Sequence, residues 1–218
     1  MKNKLGCALI LSIVSTLPLT VSADDSSKTY FSAGVMNMTD KGLDGLKGTG
    51  VTIDDSDTVA NLTVGYRVSP SLAFEGSIIS GGEVSASFSG GESGTLHGQT
   101  YSISGTASIK AKTDPSYLFG LKYSGGSGPL SVNIKVGQLF WDVDYFASVT
   151  GTVTYAGTAY TPPASSTTFK TIDGSDPYFG LGMSYSFSKN TSIDLDYISS
   201  EINDSAISGY SLSWVRNF

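Results

Sequence analysis

Few residues in this chain have the type and spacing to do chemistry. The one histidine, His97, lies between Leu96 and Gly98 in a stretch rich in glycine and serine. Nucleophilic catalysis needs a positioned base beside the nucleophile, and histidine is the usual one. Serines are plentiful throughout, so a serine near His97 carries no information, and His97 reads as a solvated loop side chain. The run Asp54-Asp55-Ser56-Asp57 has carboxylates for a divalent cation. It lacks the glycine and terminal glutamate of a calcium-binding loop and reads as a solvated acidic turn. Cys7 is the sole thiol and precedes most of an apolar run instead of following it, which argues against lipidation. No catalytic, cofactor or metal-binding residues are expected, and the chain does not read as an enzyme.

Six other ionisable residues are set differently. Arg67, Glu75, Lys122, Lys135, Asp194 and Asp196 each sit in a stretch that alternates bulky apolar with small or polar residues, and each falls on the small, polar side. Three are cationic and three anionic. Enclosed together they would neutralise one another, whereas an unpaired buried charge is costly. The expected chemistry is electrostatic, an ion network in an interior, and it depends on the elements that carry these residues.

Those elements alternate with period two, the signature of strands with one apolar face. Residues 59–68 place Ala60, Leu62, Val64, Tyr66 and Val68 on one side and Asn61, Thr63, Gly65 and Arg67 on the other. Ser69-Pro70-Ser71 forms a tight turn, and Leu72, Phe74 and Ile78 then alternate with Ala73, Glu75 and Ser77, giving a hairpin. The unit recurs. Tyr117, Phe119, Leu121 and Tyr123 oppose Gly120 and Lys122. A turn over 124–129 leads to Leu130, Val132, Ile134 and Val136 against Ser131, Asn133, Lys135 and Gly137. In the third copy Phe179, Leu181, Met183, Tyr185 and Phe187 precede a turn at Ser188-Lys189-Asn190, and Ile193, Leu195 and Tyr197 oppose Ser192, Asp194 and Asp196. Two copies open alike, at Asp114-Pro115 and Asp176-Pro177, each ahead of a Phe-Gly-Leu run. A first strand near 30–38, with Phe31, Ala33 and Val35 on its apolar side, and a last over 207–218 bring the number to eight.

Short turns alternate with long connections over 39–58, 80–113 and 142–175 and a shorter one over 200–206, the sorting found in membrane barrels with short turns on one rim and long external loops on the other. Within the second long connection, Glu83, Val84, Phe88 and residues 101–112 keep alternating, with Ile103, Ala107 and Ile109 on one face, which predicts a hairpin projecting beyond the span.

Lys2 and Lys4, an apolar run over 5–19 and Val21-Ser22-Ala23 form an export signal with a cleavage site before Asp24, so residues 1–23 read as a removable leader and 24–218 as one domain. The leader takes two of the 13 basic residues and none of the 19 acidic ones, so the net charge moves from −6 to −8. Such an acidic chain argues against nucleic acid as a partner. The mature part has no cysteine and no apolar run long enough for a transmembrane helix. A chain that crosses lipid without helices must close a barrel, because every backbone donor and acceptor needs a partner there. The polar face holds small residues and a few opposed charges instead of the dense Lys and Glu of a water-facing sheet, so the apolar face is expected to meet lipid. Tyr66, Tyr123, Tyr185 and Phe187 near the short turns, and Tyr117, Phe119, Tyr178 and Tyr197 nearer the loops, are expected to form two interfacial girdles. The fold class is all-β, an eight-stranded antiparallel up-and-down transmembrane barrel.

Three segments resemble the small OmpA-like outer-membrane barrels. Gly65-Tyr66-Arg67-Val68-Ser69-Pro70-Ser71-Leu72-Ala73-Phe74-Glu75 is similar to that family's first periplasmic hairpin, including its inward glutamate. Residues 180–187 with Ser188-Lys189-Asn190 resemble the third hairpin. The ending Leu212-Ser213-Trp214-Val215-Arg216-Asn217-Phe218 resembles the signal read by the barrel-assembly machinery through the terminal phenylalanine, although Arg216 stands where the family places an aromatic or apolar residue. The resemblance implies a place in the bacterial outer membrane after passage through the periplasm. It implies outer-membrane lipids and lipopolysaccharide as neighbours, no cofactor, and a structural or surface-interaction role. With the chain ending at that strand, no wall-binding domain is expected. The competing reading is a narrow pore or a conduit for small hydrophobic ligands of the OmpW-like type, which an interior crossed by the six ions would block.

Overall fold

A computed structural model describes residues 28–218. The leader and its cleavage site lie outside the described residues. The strands are β1 (Thr29–Asp40), β2 (Thr52–Asp54), β3 (Ser56–Arg67), β4 (Leu72–Ile79), β5 (Glu83–Leu96), β6 (Gln99–Thr113), β7 (Ser116–Ser127), β8 (Leu130–Tyr155), β9 (Thr158–Tyr160), β10 (Ser165–Ser188), β11 (Thr191–Ile202) and β12 (Ser205–Asn217). One 3-10 turn, Lys41–Leu46, is capped by Asp40, whose side chain accepts from the Gly42 amide.

Eight of these strands form the ring. β1 pairs with β3, then β4, β7, β8, β10, β11 and β12 follow, and β12 returns to β1 from Tyr30↔Asn217 to Asp40↔Ile207. Every pairing is antiparallel, and no ring strand keeps an unpaired edge along its full length. Both chain ends of the ring lie at the rim of the short turns, with Phe218 N–H donating to Thr29 O at 3.0 Å.

Strand alternation sorts side chains into bore and exterior as the pattern requires. Val35, Val64, Phe74, Phe119, Val132, Leu181, Leu195 and Leu212, one from each ring strand, are exposed on the outside. Asn61, Thr63, Glu75, Lys122, Asn133, Lys135, Ser184, Asp194, Asp196, Ser211 and Ser213 are buried inside. A continuous apolar outer belt around a polar, filled bore is the inverse of a soluble barrel and fits only a hydrocarbon surrounding. In the first strand Val35 points out while Tyr30, Ser32 and Met36 point in, as expected. Tyr66, Tyr123, Tyr185 and Phe187 are exposed beside the short turns, the last two stacked edge-on at 5.1 Å. Tyr197 and Tyr210 pack at 5.0 Å toward the other rim.

Several expectations change. The long connections are mostly strand. β5 and β6 form the projecting hairpin, β6 zips onto the outer half of β8 from Thr113↔Val143 to Tyr101↔Tyr155, and β10 lines the other edge of β8 as far as Ser165↔Val149. The result is a blade of β5, β6, β8 and β10 standing above the ring. β8 alone has 26 residues, roughly 85 Å at about 3.3 Å per residue, far more than a bilayer requires. The sequence of this region is serine-, threonine- and glycine-rich, a composition that reads as loop until neighbouring strands supply the ladder. The connection over 200–206 contracts to a two-residue turn at Asn203-Asp204, both with positive φ (50° and 64°). Asn and Asp tolerate that conformation, and it matches strand twist in tight hairpins. The turn over 124–129 likewise narrows, since β7 runs to Ser127 and Gly128 carries the positive φ of 71°.

The polarity of β8 inverts along its length. Below the rim its outward residues are Leu130, Val132, Ile134, Val136 and Phe140, with Gln138 among them; above, they become mostly polar, Asp142, Asp144, Ser148, Thr150 and Thr152, with Phe146 among them. Its inward residues change the opposite way, from Ser131, Asn133 and Lys135 to Leu139, Trp141, Val143 and Tyr145. The crossover between Phe140 and Asp142 marks where the outside changes from lipid to water. Nitroxide labels at Val64 and Phe74 should therefore relax with dissolved oxygen, as lipid-exposed sites do, and a label at Ser148 with a water-soluble relaxant. Oxygen-dominated relaxation at Ser148, or none at Phe74, would contradict this boundary.

Candidate functional site

The bore on the short-turn side is filled by the ion network. Glu75 on β4 faces Gly65 of β3 and Gly120 of β7 across the ladder, and the space these two glycines leave is taken by the rings of Tyr30 and Tyr178. Lys122 and Lys135 are direct cross-strand partners on β7 and β8, an arrangement that repels unless anions intervene. Lys122 Nζ donates to Asp194 Oδ2 at 2.7 Å and lies 3.8 Å from Glu75 Oε1; Lys135 Nζ donates to Asp196 Oδ2 at 2.8 Å and lies 3.3 Å from Glu75 Oε2. Glu75 thus bridges both lysines. To reach β11 these lysines pass over β10, whose bore face there reads Gly180, Gly182, Ser184. A Cβ at Gly182 would overlap Asp196, and one at Gly180 would press on Lys135 Cβ at 3.2 Å. The glycines of β10 are the clearance the ion pairs need.

All six residues singled out from the sequence point into the bore or its rim. Five form the pairs above, and Arg67 stands over the ring of Tyr30, 4.6 Å from its centroid, with Lys122 at 5.6 Å. Tyr30 was not anticipated. It is 2% exposed, lies against Gly65, and its hydroxyl donates to Glu75 Oε1 at 2.6 Å. The available signal was parity, since Tyr30 precedes the outward Phe31.

Tyr178 corrects the second girdle. It is buried in the bore, over Gly137 and Gly120, which lie in register beneath it. Parity against the outward Phe179 requires this. Beyond Tyr178 the bore changes character. Met36, Val59, Ile79, Leu118, Leu139, Trp141, Val143 and Ile202 form a buried apolar cluster where glycine and serine were expected. Trp141 Nε1 donates to Asp176 at 2.7 Å, which satisfies its one polar atom. Between ion network and apolar cluster lies a cavity of about 10 Å³, room for about one water molecule. Above the cluster a cavity of about 90 Å³ opens at the mouth.

The remaining candidates lie elsewhere. His97 occupies the hairpin tip between β5 and β6, with a φ of 50° and Gly98 beside it. Two carboxylates of the acidic run at 54–57 are engaged: Lys47 bridges Asp55 at 2.8 Å, as it does Asp44 at 2.5 Å, and Asp57 accepts from the amides of Thr58 and Glu83. The hydrogen bond from Lys47 lowers the Asp55 pKa, and the same contacts raise that of Lys47. No group of three or more possible metal ligands occurs among the described residues. On the outer face of the blade base Asp142 sits across from Asp173; partial burial, then repulsion from Asp114, Asp144 and Asp173, raises its pKa.

An eight-stranded ring with an apolar belt and an ion-filled bore defines the class of outer-membrane transmembrane barrels. Comparison with known proteins finds no matching family model and no matching curated protein. Among solved structures, the chain is similar to Ail of Yersinia pestis (13% identity, 88% of this chain and 98% of that one, TM-score 0.45). It is also similar to OprG of Pseudomonas aeruginosa (15%, 88% and 96%, 0.47) and to Neisserial surface protein A (11%, 87% and 97%, 0.39).

Lys135→Met leaves Asp196 and one oxygen of Glu75 without their cation in a closed bore, and should cost about 3–5 kcal/mol in urea unfolding from detergent micelles or bilayers. Tyr30→Phe removes one hydrogen bond to a carboxylate that keeps two lysines, and should cost about 1–3 kcal/mol. Equal midpoints for the two variants and the parent would show that the network carries no stability.

Proposed function

We propose that this protein is an outer-membrane barrel whose work is done by the blade it raises above the surface, as a structural and surface-interaction protein without catalytic activity. The observation that carries the reading is an unpaired strand edge of the blade. The far edge of β5 is paired only at Ser85–Ser87, with β2, among the described residues, which leaves the stretch from Phe88 to Leu96 open. Natural sheets usually blunt exposed edges with charges, prolines or bulges. Here the open stretch carries one charge, Glu92, among serines and glycines. Such an edge can accept a strand from a partner through main-chain hydrogen bonds.

The ion-filled bore disfavours a pore or through-conduit, since Lys122, Lys135, Glu75, Asp194 and Asp196 cross it and would have to separate for anything to pass. Among the described residues no carboxylate is hydrogen-bonded to His97 at its hairpin tip to orient it as a base, which is the reason for assigning no reaction. The leader at 1–23 would deliver the chain for export. The apolar belt would contact outer-membrane lipids and lipopolysaccharide. The last strand, with Trp214 outward and Arg216 donating to Thr191 at 3.0 Å at the rim, would present Phe218 to the assembly machinery.

Purified protein in planar bilayers should give no stable conductance steps; steps that shift on Glu75→Gln or Lys135→Met would overturn the closed bore. Cells displaying the full chain should attach or aggregate at least several-fold more than cells displaying a form with 85–110 replaced by Asn-Gly. Equal behaviour, with both forms shown to be folded by heat-dependent gel mobility, would remove the blade as the working part.

A further inference from the structure

The mouth of the bore is apolar where water would be better served by hydroxyls. Its cavity of about 90 Å³ is bounded by Met36, Ile79, Leu118, Leu139, Val143 and Ile202. The opposite, water-facing side of the same blade is by contrast rich in serine and threonine, with Ser108 Oγ bonded to Ser148 Oγ at 2.7 Å. The cavity also does not end at the rim. Val84, Ala111 and Tyr145 at its upper wall are register partners on β5, β6 and β8. The same face continues upward through Ala86 with Ile109, Phe88 with Ala107 and Val149, and Ile103 with Val153. Phe88, Ile103, Ile109 and Val149 are 48–62% exposed. An apolar strip therefore runs down the inner face of the blade from Phe88, Ala107 and Val149 into a closed-bottomed cup, and above it lie the glycine row Gly90, Gly105 and Gly151 and then Ile103 beside Glu92.

We propose that this cup is a binding site for a small, uncharged, apolar molecule that arrives from the external side along the blade. Burying apolar surface against this lining drives the association. The molecule is uncharged because the acidic groups at the rim are already engaged and would repel an anion. Asp40 accepts from the Gly42 amide and the Ser205 hydroxyl, Asp57 from two backbone amides, and Glu83 is paired with Lys110 at 2.6 Å. It comes from outside because the ring is laddered between β12, β1 and β3 up to Asp40 and Ser56, and because Tyr178 and the ion network close the path below. The site holds its ligand at the surface and does not pass it on. This inference stands apart from the partner of the blade edge, since the cup is lined by the ring and the blade base.

Trp141 belongs to the apolar cluster under the cup, while Trp214 faces lipid. The full chain carrying Trp214→Phe, in lipid nanodiscs, gives an emission that reports on the cup. Titration with 1-bromohexane should quench it saturably. In the Trp141→Phe form, the lipid-facing Trp214 should show only the linear quenching that follows partition into the bilayer. Val143→Phe and Ile202→Phe, each filling the cup, should weaken the saturable phase at least tenfold, and 6-bromohexanoate should bind at least tenfold more weakly than the neutral bromide. Linear quenching of Trp141 overturns the site. Saturation unchanged in both filled variants, with heat-dependent mobility intact, overturns its location. Equal binding of the carboxylate overturns the uncharged ligand. If one filled variant fails to fold, the other and the parent titration still decide.

Discussion

A polypeptide in hydrocarbon has no solvent to pair its backbone amides and carbonyls, and the ring of β1, β3, β4, β7, β8, β10, β11 and β12 is the answer to that constraint. Closing eight strands fixes a bore that only side chains can fill. The rest of the interior follows from how little room that is. Large inward groups are tolerated only where the facing strand gives up its own side chain. Tyr30 lies on Gly65, Tyr178 on Gly137 and Gly120, and Trp141 on Gly174. The 26 glycines of the chain are costly in strands in general, and these particular ones are the clearance that closure demands.

Within that space, charge has to balance locally. Two lysines placed side by side on β7 and β8 would repel, and Glu75 lies between them while Asp194 and Asp196 take the far side of each. Removing one member strands the others, whereas replacing the set with well-packed apolar residues need not cost stability. The network therefore makes better sense as a device for register and closure than as a source of net stability. A one-residue slip of β11 against β10 would turn Asp194 and Asp196 into lipid and carry Leu195 inward, and the lysines would lose their partners.

The ring was legible because period two is unambiguous when one face meets lipid. All eight ring strands, the outward Val64 and Phe74, and the inward placement of the six ions could be read from alternation, and the facing of β1 followed once Val35 was aligned with its neighbours. What escaped had physical causes. Tyr178 was assigned by its distance from a loop, when its parity with Phe179 already placed it inside. The β5–β6 hairpin of the blade was legible in the alternation of 101–112, whereas the extensions of β8 and β10 into it were hidden because their Ser- and Gly-rich sequence gains strand preference only from paired neighbours. The apolar cluster was hidden because its members sit where both faces are bulky: in Ile78-Ile79 and Leu139-Phe140-Trp141 the alternation does not tell the faces apart, and Ile79, Leu139 and Trp141 turn in.

Those doubly apolar runs and the polarity inversion of β8 are one phenomenon. An outward side chain must suit lipid below the rim and water above it, so the outward series passes from Phe140 to Asp142. The inward series has no such boundary to obey, since the bore is enclosed on one side of the rim and the blade face is open on the other. If water alone bathed that inner face, Ser and Thr would serve on it as they do on its reverse, and an exposed Phe88, Ile103 and Val149 would be a liability for aggregation. The inversion is therefore more than the trace of a membrane surface. It sorts hydroxyls to the outside and hydrocarbon to the inside of the same strands, which is the arrangement required if what reaches the mouth is itself apolar.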